Sequence, residues 1–126
     1  MALPKRKPRE DDPRKRWRSD AHRAWMTKNY CCAACGTAVN VQAAHVSMGS
    51  EPGMGLKTDD WRCVPLCGST MGREGCHDRQ HRIGEPAFWN DYREKLGQDV
   101  EDLILSLCKA SPKSAEIAKA KWERGL

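Results

Sequence analysis

The order of four cysteines and three histidines limits what this chain can fold into more than any other feature. Cys32-Ala-Ala-Cys35 is followed by Gly36, and Cys67 and Cys76 come later with eight residues between them. Ala44-His45-Val46 lies between the two pairs, and His77-Asp78-Arg79-Gln80-His81 follows the second. A CxxC turn points both of its thiolates the same way, so Cys67 and Cys76 can complete a tetrahedral site for Zn2+. Thiolates suit a closed structural site, whereas imidazoles suit an open, reactive one. The composition makes such a staple necessary. The chain has 126 residues, enough for one domain, but 31% are charged and only 6% are aromatic. A core that small needs help, and metal binding supplies folding free energy.

Three cysteines are left over. Cys31 could replace Cys32 as a ligand, at the cost of turning CxxC into CxxxC. Cys63 reads as a strand residue pointing into the core, and Cys108 lies on an apolar helical stripe and reads as packing. Disulfides are the rival reading of the set. An odd count of seven, CxxC spacing and no secretory h-region favour reduced thiols on metal in a cytoplasmic setting. No apolar run is long enough to span a membrane.

The net charge of +5 is uneven. Residues 1–28 hold ten Lys or Arg against four Asp or Glu, and the rest of the chain hold twelve against thirteen. Residues 1–16, with Pro4, Pro8 and Pro13, read as a flexible basic arm. Such an arm suits a polyanion, most simply nucleic acid, through counterion release; it can also be a solvated tail. Residues 17–84 read as the zinc-stapled core with its leading helix, and 85–126 as a helical extension packed on it.

Within the core, Ser19 or Asp20 caps a helix running to about Lys28, with Trp17, Ala21, Ala24 and Trp25 on one face. His22 has no metal-ligating company and reads as a surface helix residue. Thr37 to Val46 reads as a strand or short hairpin ending at His45, and Trp61 to Leu66 as a second strand. Between them Ser47 to Gly55, with Gly49, Pro52, Gly53 and Gly55, is an irregular loop. A helix starts near Cys76 and stops at Gly84. Pro86 opens the next, with Phe88, Tyr92 and Leu96 on one side. Val100, Leu103, Ile104, Leu107 and Cys108 form an amphipathic stripe that could serve a core or a homodimer. Ser111-Pro112 caps a last helix whose Ala115, Ala118 and Trp122 are expected to face inward. The class is α+β.

His77 and His81 are four apart, so on a helix they share one face and can share one metal. His45 comes from a strand end. A divalent ion held by imidazoles is a Lewis acid for a phosphodiester, and a separate imidazole can take a proton from water.

Taken together, Cys32-Ala-Ala-Cys35-Gly36, Ala44-His45-Val46, Gly53-Met54-Gly55-Leu56-Lys57-Thr58-Asp59-Asp60, Val64-Pro65-Leu66-Cys67 and Cys76-His77-Asp78-Arg79-Gln80-His81-Arg82 resemble the HNH, or ββα-metal, nucleases. The likeness covers about residues 20 to 90 and is strongest to small phage- and prophage-encoded members with a structural zinc. It implies that His45 is the general base and that His77 and His81 hold the catalytic ion, such as Mg2+, Mn2+, Ni2+ or Zn2+. Cys32, Cys35, Cys67 and Cys76 then hold the structural zinc. The chain departs from the family in three places. Ala44 stands where many relatives have a ligand, the middle Asn is absent, and the stretch between Cys67 and Cys76 is long. Asp59 or Asp60 lies near the place of the Asn and could orient His45. Asp60 could instead be the missing ligand. Lys57 pairs with phosphate in this reading, and Arg62, Arg79 and Arg82 are weaker phosphate candidates.

The expectation is a metal-dependent endonuclease acting on DNA, monomer or homodimer. The alternative is a zinc-stapled module that grips nucleic acid or a protein partner without cutting.

Overall fold

The computed structural model describes residues 16–49 and 58–126. The basic arm up to residue 15 and residues 50–57, with most of the glycine loop and Lys57, lie outside the described residues. The fold is α+β. Helix α1 (Asp20–Asn29) is followed by strand β1 (Val41–His45), a 3-10 turn (Asp60–Arg62) and strand β2 (Cys63–Cys67). Helices α2 (Cys76–Ile83), α3 (Glu85–Leu96), α4 (Val100–Ala110) and α5 (Ser114–Glu123) complete it. None of the described helices is long and apolar enough to cross a membrane.

The two strands pair antiparallel, with Val41 opposite Cys67, Ala43 opposite Pro65 and His45 opposite Cys63. All five residues of β2 are buried, so the strand is covered on both faces and reads as a continuous apolar run. Pro65 cannot donate to a ladder, but its carbonyl accepts from the Ala33 N–H at 2.9 Å. That bond docks the CxxC turn onto the strand.

Two helices, α1 and α4, start at a side-chain cap; α5 starts at Ser114 without one, three residues after the Ser111 expected to cap it. The Ser19 side chain accepts from the His22 N–H and caps α1, a contact worth about 1 kcal/mol. Gly84, at φ +88°, separates α2 from α3 without room for a helical residue between them. Asp99 caps α4 by accepting from Glu101 N–H. The α4 stripe is spent on the core: Val100, Ile104, Leu107 and Cys108 are all buried. The Cys108 thiol donates to the Trp61 carbonyl, as a packing cysteine would. Trp89 Nε1 donates to Gln80 Oε1 at 2.8 Å, locking α3 to α2.

Side chains at three places, on α3, α5 and α1, depart from the sequence reading. Leu96 is exposed, because α3 ends there at left-handed Gly97 and has already left the core. On α5 the buried residue is Ile117, while Ala115 and Ala118 are exposed and Trp122 is 81% exposed. The helix turns its one branched aliphatic residue inward, and the small alanines offer too little area to compete. His22 is fully buried rather than on the surface. Its Nδ1 lies 2.7 Å from Ser111 Oγ, at the α4–α5 junction, and its ring packs between Trp17 and Trp25. The helix N-terminus faces the C-terminal helices, a contact across 89 residues that no local pattern reveals.

Burial holds His22 below its ordinary value of 6.5, partly offset by the negative charge of Asp60. The folded state therefore favours neutral His22, while the unfolded chain takes up the proton more readily. Its contribution to stability is complete above about pH 6.5 and is lost as the pH falls from there toward the depressed folded value. The melting temperature of the parent should drop more steeply below about pH 6.5 than that of a His22→Gln variant, which is less stable but lacks this titration. Parallel slopes in thermal melts would assign the effect to other groups.

Candidate functional site

The CxxC turn is closed by Gly36 N–H on the Cys32 carbonyl at 2.9 Å and by Cys32 N–H on the Thr37 carbonyl at 2.8 Å. Gly36 has φ +78°, a conformation that favours glycine. Cys67 ends β2 and Cys76 begins α2, with the Cys76 N–H donating to Cys67 Sγ. The long stretch between them is folded into a small hairpin. Thr70 and Arg73 exchange both backbone hydrogen bonds at 3.0 Å, and Gly75 N–H donates to Ser69 Oγ. Gly75 packs on the Gly68 backbone so tightly that a Cβ would meet a carbonyl carbon at 2.2 Å. The extra residues loop outward and return, so the ligand spacing in space is that of a short knuckle.

The thiols of Cys32, Cys35, Cys67 and Cys76 all lie within 4.8 Å of one another, with Cys35 and Cys67 at 3.6 Å. Four sulfurs bonded at about 2.3 Å to a tetrahedral ion stand roughly 3.8 Å apart, so this group could hold a metal ion such as zinc. Burial works to raise the Cys32 thiol, but backbone hydrogen bonds at Cys35, Cys67 and Ala34 outweigh it and bring the value down to about 7. Burial pushes Cys67 and Cys76 up, and the charge of Cys32 adds to it. Thiolates this close are stable together only with a cation among them. Cys31 is exposed and outside the group, so Cys32 is the ligand candidate.

His45, at the end of β1, meets Asp60 from the 3-10 turn. His45 Nε2 lies 2.8 Å from Asp60 Oδ1. Asp60 is fully buried, and its second oxygen accepts from the Ser19 N–H at 2.8 Å. Arg18 and Arg23 pair with it at 3.0 and 3.1 Å. Burial alone would raise this carboxyl, but Ser19, His45 and the two guanidiniums hold it below its ordinary value. Asp59 turns away, accepting from Trp17 N–H and pairing with Arg124. Of the two aspartates, Asp60 is the one that touches His45. Anionic Asp60 keeps the imidazole proton on Nε2. Nδ1 has no hydrogen-bond partner among the described residues, and the side chain is 38% exposed.

His45, Asp60 and Cys63 also bring three ligand atoms together. Burial pushes the Cys63 thiol up to about 12, reinforced by the Asp60 charge, and two guanidiniums already neutralise that carboxylate. A cation would be repelled there, so Asp60 is better suited to hold His45 than to ligate.

His77 and His81 lie on one face of α2, with ring centres 5.1 Å apart. With a metal–nitrogen bond of about 2.1 Å, two rings on one tetrahedral ion have centres roughly 5 Å apart, a spacing the pair matches. His77 Nδ1 lies 2.8 Å from Gln42 Oε1 on β1. Burial lowers the His77 value, and the nearby His81 and His45 rings lower it further, favouring the neutral imidazole a metal needs.

The arginines expected to touch phosphate are engaged in the fold. Arg62 is buried and donates to the carbonyls of Val46 and Met48 and to Glu101, tying the chain after β1 to α4. Arg82 pairs with Glu74, and Arg79 with Asp91 at 3.5 Å. Arg18, which sequence reasoning passed over, stands beside His45 instead, with Nη1 3.4 Å from Nε2. Nothing in Trp17-Arg18-Ser19 signals that position. Gln42 could have been noticed, since it shares a strand face with Ala44.

Stripping zinc with a chelator should unfold the domain. Structural zinc contributes on the order of 10 kcal/mol, as much as the whole stability of most domains. Far-ultraviolet circular dichroism should show the loss, and a Cys67→Ser variant should purify with less than one zinc per chain. A folded, fully zinc-free chain would remove the four-cysteine site from its structural role. Set against known proteins, the chain matches no family model, no curated protein and no solved structure, so its function must be argued from these side chains.

Proposed function

We propose that the protein is a metal-dependent endonuclease of the HNH type, hydrolysing phosphodiester bonds in DNA. One observation carries the reading: a solvent-accessible imidazole held at Nε2 by a buried carboxylate, in the same domain as a helical histidine pair spaced for one ion. Asp60 fixes the His45 tautomer, so Nδ1 presents its lone pair to water. His45 takes a proton from that water as the oxygen attacks phosphorus. A bond from phosphorus to the water oxygen forms while the bond to the leaving oxygen breaks. A divalent ion on His77 and His81 supplies Lewis-acid stabilisation of the phosphoryl and leaving oxygens when bound. Arg18, its Nη1 held by Asp60 and the Thr58 carbonyl, keeps a fixed positive charge beside His45, alongside the phosphate role that the family resemblance gives Lys57. The surplus of basic residues in 1–28 suits the polyanionic backbone. The phage or prophage association follows from the same resemblance, while the cytoplasmic setting rests on cysteine usage and the structural role of the zinc on its all-thiolate ligand set.

Ala44 favours the second reading, a module that binds nucleic acid without cutting. It is fully buried and brings no ligand to the histidine pair. Metal counting separates the two. One tightly held zinc, and no second ion in excess Mn2+ or Ni2+, belongs to the binder.

His45→Ala should cut metal-dependent nicking of supercoiled plasmid by about 100-fold or more, the usual scale for losing a general base. Since the side chain is partly exposed, circular dichroism should show the variant folded. If it nicks DNA as fast as the parent, His45 is not the base.

A further inference from the structure

We propose that Gln42 completes the metal site, its side-chain oxygen joining His77 and His81 as the third protein ligand. The inference rests on the reading of His77 and His81 as ligands and supplies what Ala44 lacks.

Residues alternate between the faces of a strand, so Gln42 and Ala44 of β1 share one. Ala44 is sealed in the core. Gln42, at the exposed end of that face, meets the first turn of α2, and its Oε1 lies 2.8 Å from His77 Nδ1. Two neighbouring ligands bonded at about 2.1 Å to one ion stand roughly 3 Å apart when they subtend a right angle. The observed separation therefore accommodates an ion in place of the proton now shared between nitrogen and oxygen. Neutral His77 needs only to carry its proton on Nε2 instead.

The amide is also held in place. A Cβ on Gly68 would come within 2.5 Å of Gln42 Nε2 and 2.6 Å of Asn40 Nδ2, so the absence of a side chain there makes the seat for both amides. With the nitrogen against the hairpin, the oxygen is turned to His77. Two imidazoles and one neutral carbonyl oxygen form a borderline donor set, suited to Mn2+, Ni2+ or Zn2+ and open on its remaining positions.

Mn2+ titration of the zinc-loaded full chain, read by loss of the free-ion electron paramagnetic resonance signal, tests this. The parent should bind one Mn2+, and His81→Ala should abolish the uptake. Gln42→Ala should weaken it by about tenfold or more. A role through His77 alone is separated by the His77→Ala background, where adding Gln42→Glu should restore binding if position 42 touches the ion. Parent-like affinity in Gln42→Ala, with the ion lost in His81→Ala, would overturn the inference and leave the histidine site standing. So would a double variant no better than His77→Ala. A parent that takes up no Mn2+ would remove both.

Discussion

A buried carboxylate has to be compensated, and the way Asp60 is compensated organises this domain. Its two oxygens meet the Ser19 N–H, His45 Nε2 and the Arg18 guanidinium at hydrogen-bond distance, and Arg23 pairs with it by charge. Those groups come from the chain entering α1, from α1 itself and from the end of β1. One side chain on the turn before β2 therefore joins the three segments around the strand pair. Removing it would take the buried partner from two arginines, leaving Arg23 with Asp20 and Arg18 with the Thr58 carbonyl; breaking such a pair costs roughly 3–5 kcal/mol where the charges are buried. These two are partly exposed, so the figure is an upper bound. The same contact that secures the fold orients His45. Structure and proposed chemistry thus share an interaction rather than occupying separate regions.

The four-cysteine group plays the complementary role on the other side of the sheet register. Val41 stands opposite Cys67 and His45 opposite Cys63, so one end of the strand pair joins the four-cysteine group and the other carries His45. α2 bridges them: its first residue is Cys76, and the next is His77. A metal holding Cys76 would fix the start of α2, and with it the direction in which His77 and His81 project. The hairpin from Gly68 to Gly75 lengthens the loop in sequence without separating the ligands in space, because Gly75 can lie directly on the Gly68 backbone.

Much of this was legible locally. The Ser19 cap, the Gly84 break and the α4 stripe depend on neighbours within one or two turns, so short-range patterns suffice. The CxxC pair is legible for the same reason. What failed to show was long-range. His22 looked solvent-facing because only the packing of α1 on Ser111 buries it. Trp122 looked like a core residue by type, yet the face of α5 that reaches the core is set by Ile117. Arg62, Arg79 and Arg82 looked free because their acidic partners lie 39, 12 and 8 residues away.

The sequence by itself determined which side chains stand at which spacing, since these are covalent facts: soft sulfurs in one set, imidazoles in another. It also determined the helices and strands that bear them. Tertiary structure alone decided between Asp59 and Asp60, adjacent residues with the same side chain whose directions depend on the turn they occupy. It alone brought Arg18 to His45 and Gln42 to His77. Those contacts span 27 and 35 residues of chain, and their geometry exists only once the strands have paired and the helices have packed against them.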